Sequence, residues 1–146
     1  MERHQGTGNV ACGFLKGYGI KAGAVALSIA HDSHNIIVVG VSDEEMEFAV
    51  NSLIAQEGGM VLVKEGKVIE SMPMPIAGLM SDQSGEWVDE KLTAIHAKAY
   101  EELGIAGDVE PVMTLCFMSL AVIPEVKLTD MGLFDVTTFS FIPVEA

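Results

Sequence analysis

The sequence has little cysteine and no cysteine motif. Its two cysteines, Cys12 and Cys116, lie far apart and form no CxxC pair. A disulfide framework or a cysteine-based zinc site needs several cysteines at short spacings, so the sequence argues against both. We therefore expect two reduced thiols, buried in the core of the protein.

Positive charge and long hydrophobic runs are also scarce. The chain has 8 basic and 21 acidic residues, and its net charge is −13. Because this charge repels phosphate groups, we expect no nucleic acid and no anionic membrane as a partner. Every apolar run is shorter than the roughly 18 residues that cross a bilayer. The start of the chain, "MERHQGTGN", lacks the apolar segment of a secretion signal, which predicts a cytoplasmic protein.

The composition and length are those of a folded domain. Hydrophobic residues make up 49% of the chain and charged residues 20%, as in globular proteins. A chain of 146 residues is long enough to bury a sizeable core. We expect one domain over residues 1–146.

Hydrophobic patterning predicts both strands and helices. The candidate strands are residues 10–15, 24–29, 36–41, 60–64, 67–71 and 138–142. The run 36–41 is apolar throughout and rich in β-branched residues, which predicts a fully buried central strand. Glu65 and Gly66 predict a hairpin turn between residues 60–64 and 67–71.

Two segments have the periodicity of amphipathic helices. The first begins at Ser42, which forms a capping box with Glu45, and we expect it to end at Gly58. Its apolar face consists of Met46, Ala49, Val50, Leu53 and Ile54. The second spans residues 86–103, and residues 108–124 fit either a short helix or an extended segment. The pattern predicts an α/β (α+β) domain in which two long helices pack on a mixed sheet.

The segment "SIAHDSHN" concentrates the polar chemistry of the chain. Its residues are His31, Asp32, Ser33, His34 and Asn35. A catalytic metal needs more ligands from several elements, so we expect no metal site within this chain. Adjacent side chains point apart and GxSxG is absent, which argues against a hydrolytic triad. Two interpretations stay open: a loop that lines a ligand crevice, or a turn whose polar groups satisfy the backbone.

Several separate motifs resemble one known family. They are "ERHQGTGNVACGFLKGYGIKAGAVALSIAHDSHNIIVVG", "GGMVLVKEGKV", "MPMPIAGLMSD", "MTLCFMSLAVIPEVKLTDMGLFDV" and "FSFIPV". Together they cover nearly the whole chain, in order. They closely resemble the C-terminal domain of bacterial adenine deaminases, which belong to the amidohydrolase superfamily.

The resemblance implies a hydrolase of purine metabolism that converts adenine and water to hypoxanthine and ammonia. In that family a separate barrel domain binds the divalent metal, Mn, Fe or Zn, and the barrel's histidine ligands are missing here. We therefore expect the chain alone to be inactive. It is either part of a longer protein or a stand-alone relative. The resemblance also implies that His31, Asp32, Ser33, His34 and Asn35 face the barrel's active site or a domain interface.

Two other functions stay open at this stage. One is a stand-alone module that binds a purine or related small molecule. The other is a module that drives oligomerisation without catalysis. In each case a homo-oligomer is expected. A domain that normally rests on a barrel should also expose apolar surface.

Overall fold

The computed structural model describes residues 1–144. Over this range the chain forms three helices and seven strands. The helices are α1 (Asp43–Ala55), α2 (Gly85–Glu101) and α3 (Pro111–Cys116). The strands are β1 (Ala24–Leu27), β2 (Ile37–Gly40), β3 (Gly59–Lys64), β4 (Lys67–Pro73), β5 (Val126–Thr129), β6 (Gly132–Asp135) and β7 (Ser140–Ile142). The predicted α/β class is confirmed.

The main sheet has four strands in the order β2-β1-β3-β4. All its pairs are antiparallel, whereas the sequence predicts a mixed sheet. The connection through α1 brings β3 back parallel to β2, but β1 lies between them and is antiparallel to both, so no parallel pair forms. The predicted hairpin between β3 and β4 is confirmed, with positive φ angles of 52° at Glu65 and 67° at Gly66.

Helices cover both faces of this sheet. On one face α1 packs Leu53 against small residues of β1 and β3, including Ala26 and Val61. On the other face Ile95 of α2 packs with Leu27 and other residues of β1, β3 and β4, and α3 completes this core. Because both faces are covered, β1 is fully buried. Within residues 1–144, no helix combines the length and apolar character needed to cross a membrane.

The ends of α1 follow their local sequence signals. Ser42 is the N-cap, and its hydroxyl accepts a hydrogen bond of 3.3 Å from the Glu45 amide. At the other end Gly58 donates its amide to Leu53 over 2.9 Å, while Glu57 adopts the left-handed conformation with φ of 66°. The prediction that Gly58 itself ends the helix is therefore displaced by one residue, since Glu57 takes the C′ position.

Strand β2 lies at the edge of the sheet, so the prediction of a central, fully buried strand is wrong. All four of its residues are half-buried. Its side chains contact the core on each face of the sheet, Ile37 and Val39 on one and Val38 on the other, but neither face is fully covered. A continuous apolar run does not determine how many neighbours pair with the strand's backbone.

The predicted strand over residues 10–15 is also wrong. This stretch has no regular secondary structure, and the side chain of Phe14 is 98% exposed. The glycines around it permit an extended path across the surface instead of a ladder. Cys12 is exposed on this path, which corrects its predicted burial, whereas Cys116 is buried as predicted.

A second antiparallel sheet is formed by β5, β6 and β7. Strand β7 confirms the predicted last strand, but sequence patterning missed the β5–β6 hairpin. Phe134 makes edge-on contacts with Phe139 and Phe141, at ring-centroid distances of 5.2 and 5.3 Å. Phe139, Phe141 and Met131 remain largely exposed, as expected for a domain with an uncovered apolar surface.

Replacing Leu53 with alanine tests the packing of α1. Leu53 is fully buried, so Leu53→Ala should lower the free energy of unfolding by about 2–5 kcal/mol through lost burial and a residual cavity. The adjacent Ile54 is 52% exposed, so Ile54→Ala should change it by about 0.5 kcal/mol or less. Urea denaturation followed by circular dichroism measures both. Equal losses in the two variants would contradict this packing.

Candidate functional site

The residues singled out from sequence form the turn between β1 and β2. We call His31–Asn35 the HDSHN loop. Its backbone reverses tightly, since the His34 amide donates to the Ala30 carbonyl over 2.6 Å and His34 has a positive φ of 51°. The Asn35 amide donates to the Ser33 hydroxyl over 3.3 Å. The loop is therefore a compact turn at one end of the sheet.

One side of the HDSHN loop is fixed by α3 and the residues after it. The His31 amide donates to the Cys116 carbonyl over 2.8 Å, and the Ser119 hydroxyl donates to the His31 carbonyl over 3.1 Å. The His31 ring stacks on Phe117 with 4.9 Å between centroids and an interplanar angle of 19°. Both the backbone and the imidazole of His31 thus have a defined position.

The N-terminal segment fixes the other side. The Arg3 guanidinium donates to the His34 carbonyl over 2.5 Å and to the Ala77 carbonyl over 2.9 Å. Nε2 of His4 lies 2.8 Å from the Ser33 carbonyl. Arg3 and His4 are therefore positioning residues for the loop. Sequence reasoning missed both, because only the fold brings residues 1–4 beside residues 31–35.

Asp130 joins three distant parts of the chain. One carboxylate oxygen accepts from the Asn35 amide group and the other from the Asn9 amide group, each over 3.3 Å. Asp130 lies in the turn between β5 and β6, so the small sheet is tied to the loop and to the N-terminal segment. Of the predicted residues, Asn35 has a structural role through this contact.

His31 and Asp32 are available for chemistry at the surface. Their side chains are 42% and 83% exposed, and Nδ1 of His31 lies 3.4 Å from the Asp32 carboxylate. The ring centroids of His31 and His34 are 5.9 Å apart. Nδ1 of His34 and Oδ1 of Asn35 are buried without a hydrogen-bond partner in the described part of the chain. The loop thus combines fixed, buried groups with two exposed polar side chains, those of His31 and Asp32.

These side chains do not fit a catalytic metal by themselves. Across residues 1–144 no group of three or more His, Cys, Asp or Glu side chains is arranged to hold an ion. Two imidazoles and one carboxylate would suffice in number for a metal with an open position, but His31, Asp32 and His34 are not arranged around a common point. The loop can hydrogen-bond to a ligand or position a neighbouring group.

The buried cysteine beside the loop is not a nucleophile. Burial, with a smaller contribution from the nearby Glu110 carboxylate, raises the pKa of the Cys116 thiol to about 11. The thiol therefore stays protonated at neutral pH, and the thiolate that would react is rare. Cys116 serves the loop through its carbonyl group.

A cleft of about 740 Å³ borders the loop. Its floor is formed by Ile37 and Val38 of β2, with Val50 of α1 to one side. Asp32, Glu47 and Asp130 supply its charged side chains, and all three are acidic. This volume lies in the range of small-molecule sites, and the acidic lining favours groups that donate hydrogen bonds.

Comparison with known proteins identifies the family. A family model described as the adenine deaminase C-terminal domain matches residues 1–140. The chain belongs to the adenine deaminase C-terminal domain family. It is 74% identical over its full length to adenine deaminase 2 of Desulfotalea psychrophila, of which it covers 25%.

Other adenine deaminases agree with this assignment. The domain is 53% identical over 99% of its length to that of Ligilactobacillus salivarius and covers 25% of it. It is 52% identical over 97% of its length to that of Halalkalibacterium halodurans and covers 24% of it. The chain thus spans about a quarter of the length of the curated relatives it matches.

The stability of the N-terminal turn, in which the Glu2 carboxylate accepts backbone hydrogen bonds, should depend on pH. The backbone amides of Gln5 and Thr7 donate to the Glu2 carboxylate and lower its pKa from 4.5 to about 2. A depressed pKa stabilises the folded turn above about pH 4.5, and this stabilisation is lost as the pH falls towards 2. NMR titration of the Glu2 carboxyl should give a midpoint near 2 in the folded chain. A midpoint near 4.5 would contradict the hydrogen bonds between Glu2 and these backbone amides.

Proposed function

We propose that this domain completes or covers the active site of an adenine deaminase whose metal-binding barrel lies in a separate domain. The reaction of the whole protein is then the hydrolysis of adenine to hypoxanthine and ammonia. The observation that carries the proposal is the HDSHN loop, which is held from three sides through its backbone and the Asn35 side chain while His31 and Asp32 stay exposed.

A fixed backbone suits a loop that meets a substrate. Because the N-terminal segment, α3 and Asp130 each hold the loop, little conformational entropy is lost when its side chains bind a ligand. Imidazole, carboxylate and amide groups can both donate and accept hydrogen bonds, as the ring nitrogens and amino group of a purine require. A loop of this kind also excludes water from a site that it covers.

The proposal assigns the metal to the barrel domain. Divalent Mn, Fe or Zn is the expected ion by resemblance, and His31 and His34 serve beside it as substrate-facing or supporting groups. Support comes from the family match and from the relatives, of which this chain covers only about a quarter. The amidohydrolase assignment and a location in the cytoplasm remain part of the proposal, the latter supported by the two free cysteines.

A second candidate function rests on the cleft. Its volume of about 740 Å³ accommodates a nucleobase, and its acidic lining would accept hydrogen bonds from an exocyclic amino group. The same charge would repel a nucleotide phosphate. A stand-alone module that binds a free purine base is therefore the alternative, and homo-oligomerisation is compatible with either function.

Replacing His31 with alanine tests the first function. In a full-length adenine deaminase that ends in this domain, His31→Ala should lower kcat for adenine by about 10- to 100-fold, because a positioned group near the substrate is lost. His96→Ala is the matched control. It removes an imidazole that contacts Glu110, the N-cap of α3, at the opposite end of that helix from Cys116, and it should leave kcat nearly unchanged. Unchanged kcat in His31→Ala would remove the proposed role.

The isolated chain distinguishes the two functions. Without the barrel it should release no ammonia from adenine above background, even with added Mn²⁺, Fe²⁺ or Zn²⁺. If the domain acts only together with the barrel, adenine should leave the melting temperature unchanged. A rise in melting temperature with adenine would favour the purine-binding module, because ligand binding stabilises the folded state. Ammonia release by the chain alone would contradict the proposal.

A further inference from the structure

The outer edge of the main sheet is open along β2. The pairs with β1 place Ile37 opposite Leu27 and Val39 opposite Val25. The N–H and C=O groups of Ile36 point away from β1, towards Met1. The Met1 amino group donates to the Ile36 carbonyl over 2.8 Å, and the Ile36 amide donates to the Met1 carbonyl over 3.0 Å. By the alternation of a strand, the amides and carbonyls of Val38 and Gly40 also point outward.

The two bonds between Met1 and Ile36 have the pattern of an antiparallel pair. In an antiparallel ladder, the residue number falls by one along one strand for each residue by which it rises along the other. After Met1, the Arg3 side chain accordingly reaches back to the carbonyl of His34. Before Met1, the same register places the second preceding residue opposite Val38 and the fourth opposite Gly40.

The space beside this edge suits a strand. The cleft of about 740 Å³ runs along Ile36, Ile37 and Val38, and its apolar lining includes Val50 and Leu120. A strand rises about 3.3 Å per residue, so four residues would follow the edge from Ile36 to Gly40. An open edge of apolar residues with no proline or lysine is a site at which another strand pairs.

The surroundings of the Met1 amino group agree with a chain that continues. Burial lowers the pKa of this ammonium group, which shows that a charge is disfavoured there. A neutral peptide N–H would donate the same hydrogen bond to Ile36 without that cost. The relatives also extend well beyond the quarter of their length that this domain covers.

We infer that residues preceding Met1 in the full-length protein form a fifth strand, antiparallel to β2 and paired with Val38 and Gly40. This rests on the proposed function, in which the domain follows the rest of an adenine deaminase. The strand would fill the cleft beside the HDSHN loop and fix the orientation of the domain relative to the preceding one. The cleft would then be an inter-domain seam and would not hold a small molecule.

Hydrogen exchange tests the inference without any substitution. The amide of Val38 should exchange slowly in the full-length enzyme and at least about 100-fold faster in the isolated 146-residue chain. The amide of Val39, which faces β1, is the internal control and should be protected in both. Fast exchange of the Val38 amide in the full-length enzyme would overturn the inference. Protection of the Val38 amide that rises with the concentration of the isolated chain, and that is absent from the full-length enzyme, would also overturn it. A second copy of the chain would then be the partner of β2.

A designed disulfide tests the register. With Cys12→Ser as the background, Val38→Cys should crosslink in the full-length enzyme to a cysteine placed two positions before Met1. A cysteine three positions before Met1 is the matched control and should not crosslink, because its side chain lies on the opposite face of the strand. Equal crosslinking of both, or of neither, would overturn the register. Loss of deaminase activity does not enter this readout, so the test is separate from that of the proposed function.

Discussion

The burial of β1 on both faces is the constraint on which the rest of the structure depends. All four residues of this strand are inaccessible to solvent, with α1 on one side and α2 and α3 on the other. Shifting β1 by one residue would exchange the small alanines that face α1 for the larger residues that face α2, so its register is fixed. The HDSHN loop leaves the end of this strand, and its position at the end of the sheet follows from that register.

The loop gains its shape from residues that are remote in sequence. Arg3, Phe117 and Asp130 come from three separate segments, and each contacts a different residue of the loop. This arrangement is compatible with both interpretations that the sequence left open. Asn35 and the loop carbonyls serve the structure, while the exposed side chains of His31 and Asp32 remain available to a neighbouring domain or ligand.

Local signals predicted much of the fold. Ser42 begins the first long helix, and the turn at Glu65 and Gly66 forms the hairpin, because caps and turns depend on a few adjacent residues. The edge position of β2 could not be predicted in this way, since pairing partners are set by tertiary structure. The β5–β6 hairpin was missed because each of its strands has only 4 residues, too few for a clear periodicity, although Asp130 and Gly132 are usual turn residues.

For the candidate site as well, the sequence indicated local features but not the tertiary contacts. The cluster of polar residues from His31 to Asn35 was visible in the sequence, as was the family resemblance that the comparisons confirm. Its anchoring residues were not, because hydrogen bonds such as that between Asn35 and Asp130 join positions 95 residues apart. Motifs therefore indicated where chemistry is concentrated, and only the fold showed which groups are fixed and which are free.

The central claim is that the HDSHN loop faces the purine in the complete enzyme. A crystal structure of a full-length adenine deaminase ending in this domain, with hypoxanthine or a purine analogue bound, tests it most directly. The account predicts that a side-chain atom of His31, Asp32 or His34 lies within about 3.2 Å of the purine, or of a water molecule bound to it. A loop that faces bulk solvent, with the purine enclosed by other parts of the protein, would contradict the account.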